Sequence, residues 1–150
     1  MLNLKRELLK KCSDYVAERV ESATNAIVSA KEASQDDTKS SAGDKYETTR
    51  EMMQQEMSRN EAQLFEAKKL QHALLQIPQD KTTDKIQNGS LVFTNNGNFF
   101  ISVSAGQFKI EEQVFFAISA ASPIGKLLLG LEKGMKFSFN GKFFEILNVK

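Results

Sequence analysis

Apolar and small residues recur at three- and four-residue spacing from Leu4 to about Ala33. Leu9, Cys12, Val16, Val20, Ala23, Ile27 and Ala30 draw a single stripe, the pattern of an amphipathic helix. The rhythm fails in DDTKSSAGDKYETTRE, residues 36 to 51, where carboxylates and lysines crowd together with serines and a glycine. It returns with Tyr46, Met53, Met57, Leu64, Ala67, Leu74 and Ile77, broken by Asn60 and Gln71, and stops at Pro78. A helix rises 1.5 Å per residue, so each stretch of roughly 30 residues makes a rod of about 45 Å. Two such stripes can be buried against each other, and an antiparallel hairpin is the expected result. Ser40, Ser41 and Gly43 suit its turn, and Asp44 suits the start of the second helix.

Beyond residue 80 the pattern changes period. Ten of the eleven phenylalanines follow position 90, whereas the first half draws on Ala, Glu, Lys, Gln, Leu and Met, so helices are expected first and sheet second. Gln79 to Gly89 reads as a polar linker. Strands are predicted at Ser90–Thr94, Asn98–Val103, Gln113–Ile118, Met135–Phe139 and Lys142–Val149, with Asn96-Gly97 and Asn140-Gly141 as hairpin turns. One short helix interrupts them. In SPIGKLLLG, Ser122 caps, Pro123 takes the first helical position and Gly130 lies beyond the end. Leu127, Leu128, Leu129 and Leu131 cannot all face water, so this helix is expected to cover the open face of the sheet, with Leu127 and Leu131 as packing residues. The fold class is α+β: an N-terminal antiparallel helical hairpin, or coiled coil, over 1–78 with a charged tip near 34–47, then a small, mostly antiparallel sheet domain over 79–150.

Composition narrows the function without assigning one. Hydrophobic residues make up 41% and charged residues 26%, a balance that suits a soluble globular chain. The formal charge of +1 gives no global attraction to nucleic acid or anionic membrane, so charge-driven binding must come from local patches. The single cysteine, Cys12, excludes an intramolecular disulfide, and charges interrupt every apolar run of MLNLKRELLKKC, which argues against a signal peptide or membrane span. A cytoplasmic location is expected.

An independent active site is hard to assemble. His72 is the only histidine, Cys12 and His72 lack an orienting third group, and no phosphate-loop, dinucleotide or serine-hydrolase motif occurs. The tip is the better candidate. Asp36, Asp37, Asp44 and Glu47 cluster around the turn, and closely placed carboxylates are the ligands hard cations such as Mg²⁺ take. The plainer reading is that Asp44 and Glu47 complement a helix dipole on a solvated turn.

The combination of hairpin, acidic tip and SPIGKLLLG resembles the Gre transcript-cleavage factors of bacterial RNA polymerase over most of the chain. Ser122-Pro123-Ile124-Gly125, then Leu128, Gly130 and Gly134, and finally FFEILNV are similar to that family's SPLGxALxG, its following glycine and its last strand. AIVSAKEA resembles the end of the family's first helix, and Tyr46 with Arg50 and Glu51 resembles the opening of its second. The tip departs from the pattern. Where the family places an aspartate seven residues and a glutamate four residues before the tyrosine, this chain has Lys39 and Ala42, and its loop is longer.

The resemblance implies an FKBP-like sheet domain that docks on RNA polymerase through Ser122, Pro123, Ile124 and Gly125. It implies a hairpin that enters the secondary channel, where Asp44 first, then Asp37 and Asp36, serve catalysis. Lys39, Lys45, Tyr46, Glu47 and Arg50 would meet the channel or nascent RNA. No metal is held by the free protein in this reading; the cofactor is a Mg²⁺ shared in the polymerase active site, so the chain is not an enzyme by itself. Neither a membrane nor a small-molecule substrate is expected as a partner. The alternatives are a channel-binding regulator without cleavage activity and a coiled-coil adaptor unrelated to transcription. Prolyl isomerisation follows from fold analogy alone.

Overall fold

The computed structural model describes the backbone of residues 2–37, 43–78 and 81–150 and the side chains of 4–33, 48–78 and 81–150. Gln79 and Asp80 of the expected linker lie outside it. Helix α1 runs over Leu2–Asp37 and α2 over Gly43–Leu75, forming the expected hairpin. Both exceed the average globular helix about threefold, a length at which packing of one face adds to the backbone ladder. The α1 stripe is confirmed: Cys12, Val16 and Ala23 are buried, and Leu9, Val20, Ile27 and Ala30 are half-buried. Along α2, Asn60, Ala67 and Leu74 are buried at spacings of seven, the period of a coiled-coil seam. The expected interruption at Gln71 is real, since it is exposed and Leu70 takes its place. Asn60 is instead buried within the stripe.

By packing, the chain forms two compact units, residues 16–71 and residues 1–15 with 72–150. The second contains a six-stranded sheet. Its strands are β1 (Leu91–Thr94), β2 (Gly97–Ser102), β3 (Gly106–Ile110), β4 (Gln113–Ser119), β5 (Lys136–Phe139) and β6 (Lys142–Val149), with helix α3 (Pro123–Leu128) between β4 and β5. The order across the sheet is β3-β4-β2-β1-β6-β5. Only the β2/β4 pairing is parallel; the other four are antiparallel.

The sheet has two differently covered faces because strand side chains alternate. Val92, Phe99, Ile101, Phe144 and Ile146 form a core with Leu128 of α3 and with Ile86, and Phe137 stacks on Phe144 with centroids 4.8 Å apart. The intervening residues face the other way. There Phe100 and Phe115 are fully buried, Phe93 meets Phe115 edge-on, and Ser102 lies 3.7 Å from the Cys12 thiol near the start of α1. A second link from α1 is the Lys5 Nζ, which donates to the Lys81 carbonyl at 3.0 Å.

Strand β3 has no counterpart among the predicted strands. It is an edge strand in which Ile110 alone is buried, and its apolar alternation is only two residues long, Phe108 and Ile110 between the polar Gln107 and Lys109. Its turn is equally unmarked, because Glu111 and Glu112 both adopt the left-handed region, with φ of 49° and 70°, where Asn-Gly is usual. The β5/β6 turn follows expectation, with positive φ at both Asn140 and Gly141. At β1/β2 the positive φ falls on Gly97 alone.

Candidate functional site

At the tip, the residues singled out from the sequence are placed by the backbone. Asp36 and Asp37 end α1, Asp44 is the second residue of α2, and Lys45, Tyr46 and Glu47 follow in its opening turns. The hairpin therefore gathers both sets of acids at one end. Their side chains, and Lys39 entirely, lie outside the described residues. Arg50 and Glu51 are exposed on α2. Among the described residues no group of three or more His, Cys, Asp and Glu side chains could hold a metal.

Side-chain hydrogen bonds fix the backbone of the SPIG segment. The Ser122 hydroxyl donates to the Ser119 carbonyl at 2.6 Å and accepts from the Gly125 N–H at 3.1 Å, which caps α3. Gly125 has no room for a side chain, since a Cβ there would sit 2.1 Å from the Ser119 carbonyl oxygen. Ile124 is half-buried and packs on the core. Of the four residues expected to dock a partner, Ser122, Ile124 and Gly125 thus have structural tasks, and Pro123 is the exposed one. Leu128 is buried and Leu131 half-buried, whereas Leu127 and Leu129 are exposed. Leu127 is therefore not the packing residue the sequence suggested. A helix of six residues turns only part of its circumference to the core, and Leu128 occupies that part.

Elsewhere on the sheet, Phe143 is 79% exposed although its neighbour Phe144 is core. FFEILNV reads as one apolar strand, but alternation sends its phenylalanines to opposite faces. Cys12 is buried, its pKa is pushed up by that burial, and the Ser102 hydroxyl partly offsets the rise. His72 is exposed. Buried Lys5 has its pKa lowered by loss of hydration.

Within the hairpin unit, Arg19, Ser22 and Ala23 of α1 and Arg59, Ala62, Gln63, Glu66, Ala67 and Leu70 of α2 line a groove of about 490 Å³. No motif in the sequence marks it.

No known protein-family model matches the chain, and no curated protein matches it in sequence. Among solved structures it is similar to the transcription factor Gfh1, at 20% identity over 91% of this chain and 92% of that one, with a TM-score of 0.39. A superposition that loose assigns no function. No described helix is long and apolar enough to cross a membrane.

Proposed function

We propose that this chain is a Gre-like transcription factor that binds RNA polymerase, with a hairpin for the secondary channel and an FKBP-like sheet domain for docking. One observation carries the reading. Two helices of 36 and 33 residues bring Asp36, Asp37 and Asp44 to a single end of a hairpin, in a chain that also carries the SPIG helix. The sequence resemblance and this geometry support it jointly.

In this mechanism the chain supplies carboxylates and the polymerase supplies the rest of the active site. Asp44, with Asp37 and Asp36, would help hold a Mg²⁺ shared with the polymerase, and that ion would supply the hydrolysis of the 3′ end of backtracked RNA. Lys39, Lys45 and Arg50 would offer positive charge to RNA phosphates or polymerase acids, and Tyr46 and Glu47 would be further channel contacts. Docking falls to Pro123, with Lys126 and Leu127 beside it on the exposed side of α3.

Backtracked elongation complexes test the reading. The full chain should shorten their RNA, and Asp44→Ala should slow that by about 10-fold or more, in the range lost when a metal site is disturbed. A second reading has its own observation, since Lys39 and Ala42 stand where the family has acids. It keeps polymerase binding without cleavage. Binding with no RNA shortening at saturating protein selects it, while failure to bind, or binding indifferent to Pro123→Ala with Leu127→Asp, selects the adaptor reading.

A further inference from the structure

The hairpin unit is packed unevenly along its length. On α1, Val16 and Ala23 are buried, but none of residues 24–33 is, and Ile27 and Ala30 are only half-covered. The same change occurs on α2. Ala67 and Asn60 are buried, whereas none of residues 48–59 is, Met53 and Met57 being half-covered. Arg59 and Gln63, which flank Asn60 in the chain, share a groove with Ala23, so the two changes fall at one level of the hairpin.

At that level the seam holds a polar side chain. Asn60 is 8% exposed, continues the line of Ala67 and Leu74, and its Nδ2 has no hydrogen-bond partner among the described residues. An amide donor buried without a partner loses its hydration and recovers it whenever the seam parts, which shifts the opening equilibrium by roughly 5- to 150-fold. Few buried apolar contacts and one dehydrated amide thus act in the same direction.

We infer that Asn60 is a built-in breaking point of the hairpin, at which the tip-ward part, residues 24–37 and 43–59, opens while residues 16–23 and 61–71 remain paired. Once their seam is parted, helical segments of this length are marginal in water and exchange their backbone protons. The acidic tip is thereby carried on a segment able to rearrange without unfolding the remainder. This does not depend on polymerase being the partner.

Native-state hydrogen exchange on the full chain tests it. Amides of 24–33 and 48–59 should exchange at least about 10-fold faster than those of 16–23 and 61–71 after correction for intrinsic rates. Asn60→Leu should slow the tip-ward amides by about 10-fold or more and leave the amides of β2 and β4 unchanged, which also reports that the variant is folded. Asn60→Ala, which removes the amide without adding bulk, should slow them too. Equal protection of the two parts overturns the inference, as does faster tip-ward exchange in Asn60→Ala, because that outcome means the amide was bonded and stabilising.

Discussion

The tip-ward hairpin and the sheet are held by different physics. In the sheet and the α3 helix packed on it, Phe100, Phe115, Leu91, Ile101, Leu128 and Ile146 are fully buried, so each contributes the whole transfer free energy of its side chain, on the order of 1.5–3 kcal/mol. Between residues 24 and 33 and between 48 and 59 no side chain is buried, and what orders those segments is the backbone ladder of each helix and a half-covered seam. A sheet cannot exist without its core because its strands are held by distant partners. A helix satisfies its backbone locally and tolerates a thin seam, which leaves it free to carry charged residues at its end.

Removing equivalent apolar bulk from each region should have very unequal effects. Leu128→Ala should cost about 2–5 kcal/mol, read as accelerated exchange of the β1, β2 and β6 amides, whereas Met57→Ala should cost less than about 1 kcal/mol and be felt only in the hairpin. Similar losses at the two sites would mean that the hairpin seam is as tightly packed as the core.

A smaller gain is expected at the β3/β4 turn. Replacing Glu111 and Glu112 by Asn-Gly suits the left-handed conformation both residues adopt, and should stabilise the sheet by about 1 kcal/mol in a denaturant titration. It should leave exchange in residues 24–33 unchanged. A loss of stability would show that the glutamates favour this turn.

The smallest effect is a pH dependence in the alkaline range. Burial lowers the pKa of Lys5 below its ordinary 10.5, so the folded chain releases that proton first, and stability from this group rises with pH through the lowered value. Cys12 acts oppositely. Its pKa is raised above 9.0, so stability from the thiol is present below that pH and is lost above it. In Cys12→Ala the thermal midpoint should therefore increase with pH on approaching 10.5, and in Lys5→Met it should fall above 9.0. A flat profile in Cys12→Ala would mean that Lys5 is hydrated in the folded chain.

Much of this was legible in advance, for a physical reason. Both helices, their stripes, the Ser122 cap, Pro123 at the first position of α3 and five of the six strands depend on short-range periodicity and turn chemistry, which residues carry with them. The acidic residues of the tip and the SPIG segment were likewise visible as residue types at fixed spacing. Tertiary structure decided the rest, where the outcome turns on partners far away in sequence. It made Asn60 part of a buried seam, placed Phe144 in the core and Phe143 outside it, set Lys5 against the Lys81 carbonyl, and formed β3 from a segment whose main recommendation is the open edge of β4. It also separated Pro123, which is exposed, from Gly125, whose missing side chain is demanded by the Ser119 carbonyl. Burial belongs to the assembled neighbourhood, and a residue's own identity sets only what that neighbourhood must accommodate.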